Sequence, residues 1–151
     1  MMQTSPKTSK KNGGFRFKPF SKRQKIVLSW WMPNSPFHDY DGIICDGSIR
    51  SGKSMTMSLS FVMWAMTTFD SCNFGLCGKT IGSLRRNVIN DLKRMLTARG
   101  YKVEDKRGDN YLMVSRDGRS NSFYMFGGTN ESSQDLVQGI TLAGALLDEV
   151  A

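Results

Sequence analysis

Histidine and cysteine are scarce in this chain of 151 residues, and the shortage excludes several kinds of chemistry. A single histidine, His38, leaves no His/Cys constellation of the kind that holds zinc. The three cysteines, Cys45, Cys72 and Cys77, form no Cys-x-x-Cys pair, and their odd number closes no disulfide framework. Cys45 and Cys77 lie in apolar, strand-like runs, where buried free thiols are expected. No uninterrupted apolar run approaches the ~18 residues that cross a bilayer, so no membrane contact is expected. The basic N-terminus lacks the apolar block of a secretory signal. A soluble, non-secreted, intracellular protein is the expectation. Acidic residues are absent from positions 1–38, which carry eight Lys/Arg, so the net charge of +8 rests wholly on this arm. A basic arm on a neutral body suits a polyanion such as DNA, or is a solvated tail.

Apolar residues make up 39% of the chain, with nine Phe, four Tyr and three Trp, enough for one globular domain with a sizeable core. Residues 1–18, rich in Lys, Ser, Thr and Gly, read as a disordered basic tail, and residues 19–151 as the folded domain. Within that domain, Gly47-Ser48-Ile49-Arg50-Ser51-Gly52-Lys53-Ser54 fits the template G-x-x-x-x-G-K-[ST] at every required position. The glycines let a loop curl until its backbone N–H groups point at a phosphate. Lys53 then reaches the β/γ-phosphates, the Ser54 hydroxyl ligates Mg²⁺, and the following helix adds the positive end of its dipole. Context agrees: Gly42 to Asp46 is a short apolar run of strand type, and Lys53 to about Thr67 reads as a helix without Pro or Gly. Any metal here is expected to be Mg²⁺ brought with nucleotide.

The remaining chain supplies a mainly parallel α/β pattern. Ser21 can cap a helix from Lys22 to about Trp31, which Pro33 and Pro36 end. Gln24 near its start can both donate to and accept from an adenine edge, or be an ordinary surface residue. The helix after the loop is apolar nearly all round and should be buried. Asn73 to Gly78 reads as a strand. Ile81 to Ala98 is the best amphipathic helix; its polar side carries Arg85, Arg86, Lys93 and Arg94, a DNA-tracking or inter-subunit stripe or a solvated face. Residues 101–126 form a strand meander with turns at Asp105 to Asn110 and Asp117-Gly118. Ala143 to Leu147 has no polar alternation, as in a parallel strand buried on both faces, and it delivers Asp148 and Glu149 to the sheet edge of the phosphate loop. Asp148 would hold Mg²⁺ there, and Glu149 could polarise a water for attack on the γ-phosphate.

Several strings of the chain resemble the ATPase domain of phage large terminase subunits, the motors that package DNA into procapsids. Pro19-Phe20-Ser21-Lys22-Arg23-Gln24 is similar to that family's adenine-reading segment. Asp46 to Ser54 is similar to its Walker A, with an Arg inside the loop. Gly78-Lys79-Thr80 with the Leu84-Arg85-Arg86-Asn87 helix, and Gln138 to Gly144 running into Leu147-Asp148-Glu149, resemble its next segment and its Walker B approach. The resemblance implies a P-loop NTPase core of the additional-strand type, incomplete at its C-terminus. It implies ATP and Mg²⁺ as cofactors, with Gly47 to Ser54 and Gln24 on the nucleotide, and Ser54 and Asp148 on the metal. Lys53, Glu149 and Arg50 are then catalytic, Arg50 acting in its own subunit or a neighbour's. Double-stranded DNA, a small terminase subunit, a portal protein and further copies of the chain are the implied partners, in the host cytoplasm. The coupling motif, further strands and nuclease domain that follow in that family are not represented in these residues, so weak ATP hydrolysis and no DNA cleavage are expected of them. A helicase-like P-loop ATPase and a non-catalytic remnant that binds DNA or a partner are the alternatives.

Overall fold

The computed structural model describes residues 18–47, 52–128 and 138–149, so the tail expected over 1–18 lies, except for Lys18, outside the described residues. Helix α1 spans Lys22–Ser29 and opens with a full capping box. Ser21 Oγ accepts from the Gln24 backbone N–H, and the Ser21 N–H donates to Gln24 Oε1. Helix α2, Lys53–Thr68, buries Leu59, Val62, Ala65 and Met66. Three hydroxyl residues are buried with them, and each hydroxyl finds a carbonyl, which removes the cost of desolvating it. Thr56 bonds Gly52, Ser58 bonds Met55, and Ser60 donates to Val27 at 2.7 Å, fastening α2 to α1.

Five strands form one sheet in the order β2-β3-β4-β1-β5. They are β1 (Asn73–Gly78), β2 (Lys102–Lys106), β3 (Tyr111–Arg116), β4 (Arg119–Gly127) and β5 (Leu142–Leu147). Strand β1 runs parallel to β4 and β5, while β2–β3 and β3–β4 are antiparallel. The sheet is therefore mixed, where a mainly parallel one was expected. The cause is local: Asp117 and Gly118, with φ of 51° and 77°, make a two-residue turn, and such a turn joins only antiparallel strands.

One face of the sheet carries Leu112, Val114, Asn121, Phe123, Met125, Phe74, Leu76 and Leu146, and the helices pack on it. Phe74 is fully buried at its centre, stacked on Phe123 at 5.1 Å and meeting Phe61, Trp64 and Phe69 edge-on. Asn121 is the polar exception, and it is satisfied: its amide donates to the Phe69 carbonyl and accepts from Cys72 N–H. The opposite face of β5 differs from expectation, because Ala143, Ala145 and Leu147 are exposed and the strand is buried on one face only. Period-two alternation points these three residues away from the helix layer.

The expected strand at Gly42 to Asp46 does not form, and Ile44 is 98% exposed. A strand is stabilised by the partner along its edge, and among the described residues none pairs with this run. The cysteines are half-buried free thiols rather than fully buried ones. Burial pushes the Cys77 thiol up.

The amphipathic helix runs from Ile81 to Ala98 as α3 (Ile81–Leu84), a π-helical turn (Arg85–Ile89) and α4 (Asn90–Ala98). Its apolar residues Leu84, Val88, Leu92, Met95 and Leu96 are buried as expected, and Ile89 joins them. Two of the four cations on its polar side turn inward to Asp105 of β2. Arg85 Nη1 lies 3.1 and 3.0 Å from the two carboxylate oxygens, and Lys93 Nζ is 3.0 Å from one. Arg85 and Lys93 thus pin helix to sheet, so a stripe of four outward-facing cations is not what forms. Burial alone would raise the Asp105 carboxyl, but hydrogen bonds and charge from Lys93 and Arg85 outweigh it and hold the group below its ordinary 3.8.

A depressed folded-state value contributes stability that is present above the ordinary carboxylate range and lost as pH falls through the folded value. Asp105→Asn is expected to cost about 3 kcal/mol at pH 7, because it leaves two largely desolvated cations without their counter-charge. The gap in melting temperature between wild type and variant should shrink on titration to about pH 3, below the ordinary carboxylate value. A gap that stays constant over that range would contradict the assignment.

Candidate functional site

The three parallel strands end at one edge of the sheet, and the two sequence motifs meet there. Gly52 caps α2 with φ 76°, a left-handed conformation that favours glycine. The Thr56 N–H and hydroxyl both donate to the Gly52 carbonyl, at 3.0 and 2.8 Å, and fix the first turn. Lys53 Nζ donates to the Gly47 carbonyl and so ties the two ends of the loop together. Ser48, Ile49, Arg50 and Ser51 lie outside the described residues.

From the other motif, β5 brings Asp148 to the start of α2. Ser54 Oγ donates to Asp148 Oδ1 at 2.6 Å, across 94 positions of sequence. The Asp148 N–H donates to the Cys77 carbonyl at 2.8 Å, so β1 sets the height of the carboxylate. Glu149 follows, exposed, with φ 50°. Left-handed backbone is uncommon for a residue with a Cβ, and here it ends the strand's alternation directly after the first acid. Cys45 lies on the approach to the loop; burial pushes its thiol up, and the Lys53 charge opposes that.

Gln24 also reaches this edge. A Cβ placed on Gly52 would lie 2.8 Å from Gln24 Nε2, so α1 packs its amide against the end of the loop. Of the expected site residues, Gly52, Lys53, Ser54, Asp148 and Gln24 are thus brought together, with Gly47 joined through Lys53 and Glu149 next in line. Thr56 was not anticipated; a Thr one turn into a helix carries no signal of a bond to its own cap. His38 stands apart, exposed and paired with Asp39 and the Ser35 carbonyl.

The oxygen donors suit one class of metal. A serine hydroxyl and a carboxylate are hard ligands, and Mg²⁺ binds through one or two carboxylates together with water and substrate phosphates. Among the described residues no group of three or more His, Cys, Asp or Glu is arranged to hold a metal by itself. A metal at this edge would need ligands beyond Ser54 and Asp148, which water or a bound phosphate could supply.

Residues 44–151 match the family model described as terminase large subunit, T4likevirus-type, N-terminal. The chain belongs to the phage large terminase family. A solved large terminase from a thermophilic bacteriophage is 65% identical to this terminase chain, with a TM-score of 0.86 over 88% of the chain and 33% of its own length. The same phage's terminase in complex with ADP is 64% identical, with a TM-score of 0.82 over 87% of this chain and 32% of that one. Its complex with ATP-γ-S is 61% identical, with a TM-score of 0.80 over 87% and 31%. The terminase chain therefore spans about a third of the length of these relatives. No curated protein matches it. Among the described residues, no helix is long and apolar enough to cross a membrane.

Proposed function

We propose that this segment is the ATP-binding and hydrolysing part of a DNA-packaging motor, built on a P-loop core of the additional-strand type. One observation carries the reading: the 2.6 Å hydrogen bond from Ser54 to Asp148, which joins the phosphate-loop motif to the acidic strand end. The thermophilic-phage relatives solved with ADP and ATP-γ-S support nucleotide as the ligand. In this reading the loop from Gly47 to Ser54 cradles the phosphates with backbone N–H groups, and Lys53 exchanges the Gly47 carbonyl for phosphate oxygen. Ser54 and Asp148 would hold Mg²⁺, which when bound neutralises charge on the β- and γ-phosphates. Glu149 orients and polarises the attacking water, and Arg50 adds charge at the γ-phosphate. Gln24 belongs to the same site. Duplex DNA, a small terminase subunit, a portal and further copies of the chain complete the motor in the host cytoplasm, and the basic arm contributes to DNA contact. Family membership favours this reading over a helicase-like one.

Glu149→Gln in the full-length subunit tests it. Turnover of Mg-ATP, measured with and without duplex DNA, is expected to fall about 10²- to 10⁴-fold, the contribution of a positioned general base. Affinity for Mg-ATP should change little, because the side chain acts on water rather than on phosphate. A variant that turns over as fast as wild type would sink the assignment.

A further inference from the structure

Gln24 is held in two directions at once. At the start of α1, its Oε1 accepts from Ser21 N–H at 2.9 Å while its own N–H donates to Ser21 Oγ at 3.2 Å, so the side chain has a fixed rotamer. Its Nε2 meanwhile occupies the side of Gly52 where any other residue would carry a Cβ, 2.8 Å from that position. The carbonyl of the same residue is held by Thr56 N–H and Oγ1. Gly52 loses more conformational freedom on ordering than any other residue type, so a left-handed glycine needs neighbours to hold it.

We propose that Gln24 is a positioning residue for the phosphate loop. Resting on the nucleotide reading above, this assigns it to the phosphates of any nucleotide through Gly52, beyond contact with a base. The capping box aims the amide, the amide confines the Gly52 turn, and the turn directs Lys53 and Ser54, the next two residues of the chain. A residue that only read an adenine edge would present both amide groups to the base. Here Oε1 is engaged by the N-cap of its own helix, and Nε2 lies on the loop. Ser21 is then part of the device, because its hydroxyl and N–H set the rotamer.

The probe that separates the roles is inorganic tripolyphosphate, which has phosphates and no base. Affinities for Mg-ATP and for Mg-tripolyphosphate are measured by calorimetry for wild type, Gln24→Ala and Ser21→Ala, with melting temperatures recorded in parallel. Gln24→Ala is expected to weaken both ligands by the same factor, about five- to tenfold, with the melting temperature lowered by only a few degrees through the lost cap, so that the variant stays folded at the assay temperature. Ser21→Ala, which keeps the amide but loosens its box, should weaken both in parallel by a smaller factor. Loss of ATP affinity with tripolyphosphate untouched would overturn the proposal and leave Gln24 a base reader. Unchanged affinity for both ligands in Gln24→Ala would overturn it as well. Failure of the nucleotide reading looks different, since wild type would then bind neither ligand.

Discussion

Lys53→Ala is expected to lower Mg-ATP affinity by about a hundredfold, read by calorimetry or by displacement of a fluorescent nucleotide. A hydrogen bond to a charged group contributes about 1.5–3 kcal/mol, which is roughly 10- to 150-fold in affinity. Two effects combine here. The ammonium is the one cation that α2 itself places at the phosphate loop, and its bond to the Gly47 carbonyl also draws the ends of the loop together. Truncation removes both the charge and the tie. Lys53→Arg should recover only part of the affinity, because a planar fork does not replace a compact ammonium in a tight backbone cradle. An alanine variant that binds Mg-ATP within about threefold of wild type would remove the phosphate role from Lys53, since the expected hydrogen-bond loss is larger.

Phe74→Ala should destabilise the fold by about 4 kcal/mol, a large share of the roughly 5–15 kcal/mol that holds a domain folded. The ring is fully buried, stacks on Phe123 at 5.1 Å, and makes T-shaped contacts with Phe61, Trp64 and Phe69. Its removal deletes the transfer term and opens a cavity between α2 and the middle of the sheet, where β1, β4 and α2 cannot all close in. Phe74→Leu keeps much of the volume and should cost well under half as much. Urea unfolding checks both. Equal midpoints for wild type and Phe74→Ala would show that the helix layer does not depend on this ring.

How much of this could be read from residues alone follows from the range of the forces involved. The strand Asn73–Gly78 and the helix limits Ile81 and Ala98 were legible because local periodicity and punctuation determine them. Ser21 was legible as an N-cap, while its full capping box with Gln24 became visible only in the structure. The two halves of the candidate site were legible because phosphate and metal chemistry restrict residue types so tightly. Pairing was harder. Gly42 to Asp46 has the composition of a strand, yet pairing depends on a neighbour that composition does not name. The exposure of Ala143, Ala145 and Leu147 depends on which sheet face the helices cover, and an apolar run looks the same either way. The inward turn of Arg85 and Lys93 depends on Asp105, whose composition and neighbours read only as part of a turn. Gln24 was singled out for its two-sided amide, and its approach to Gly52 became visible only in three dimensions.

The left-handed backbone at Glu149 has an evolutionary consequence. Most residues with a Cβ carry a conformational cost of about 1 kcal/mol in that region, which glycine escapes and Asn and Asp partly offset. Full relaxation of the chain here, by glycine, would delete the carboxylate. If Glu149 carries the role proposed for it, selection for a more stable protein and selection for that acid pull this position in opposite directions.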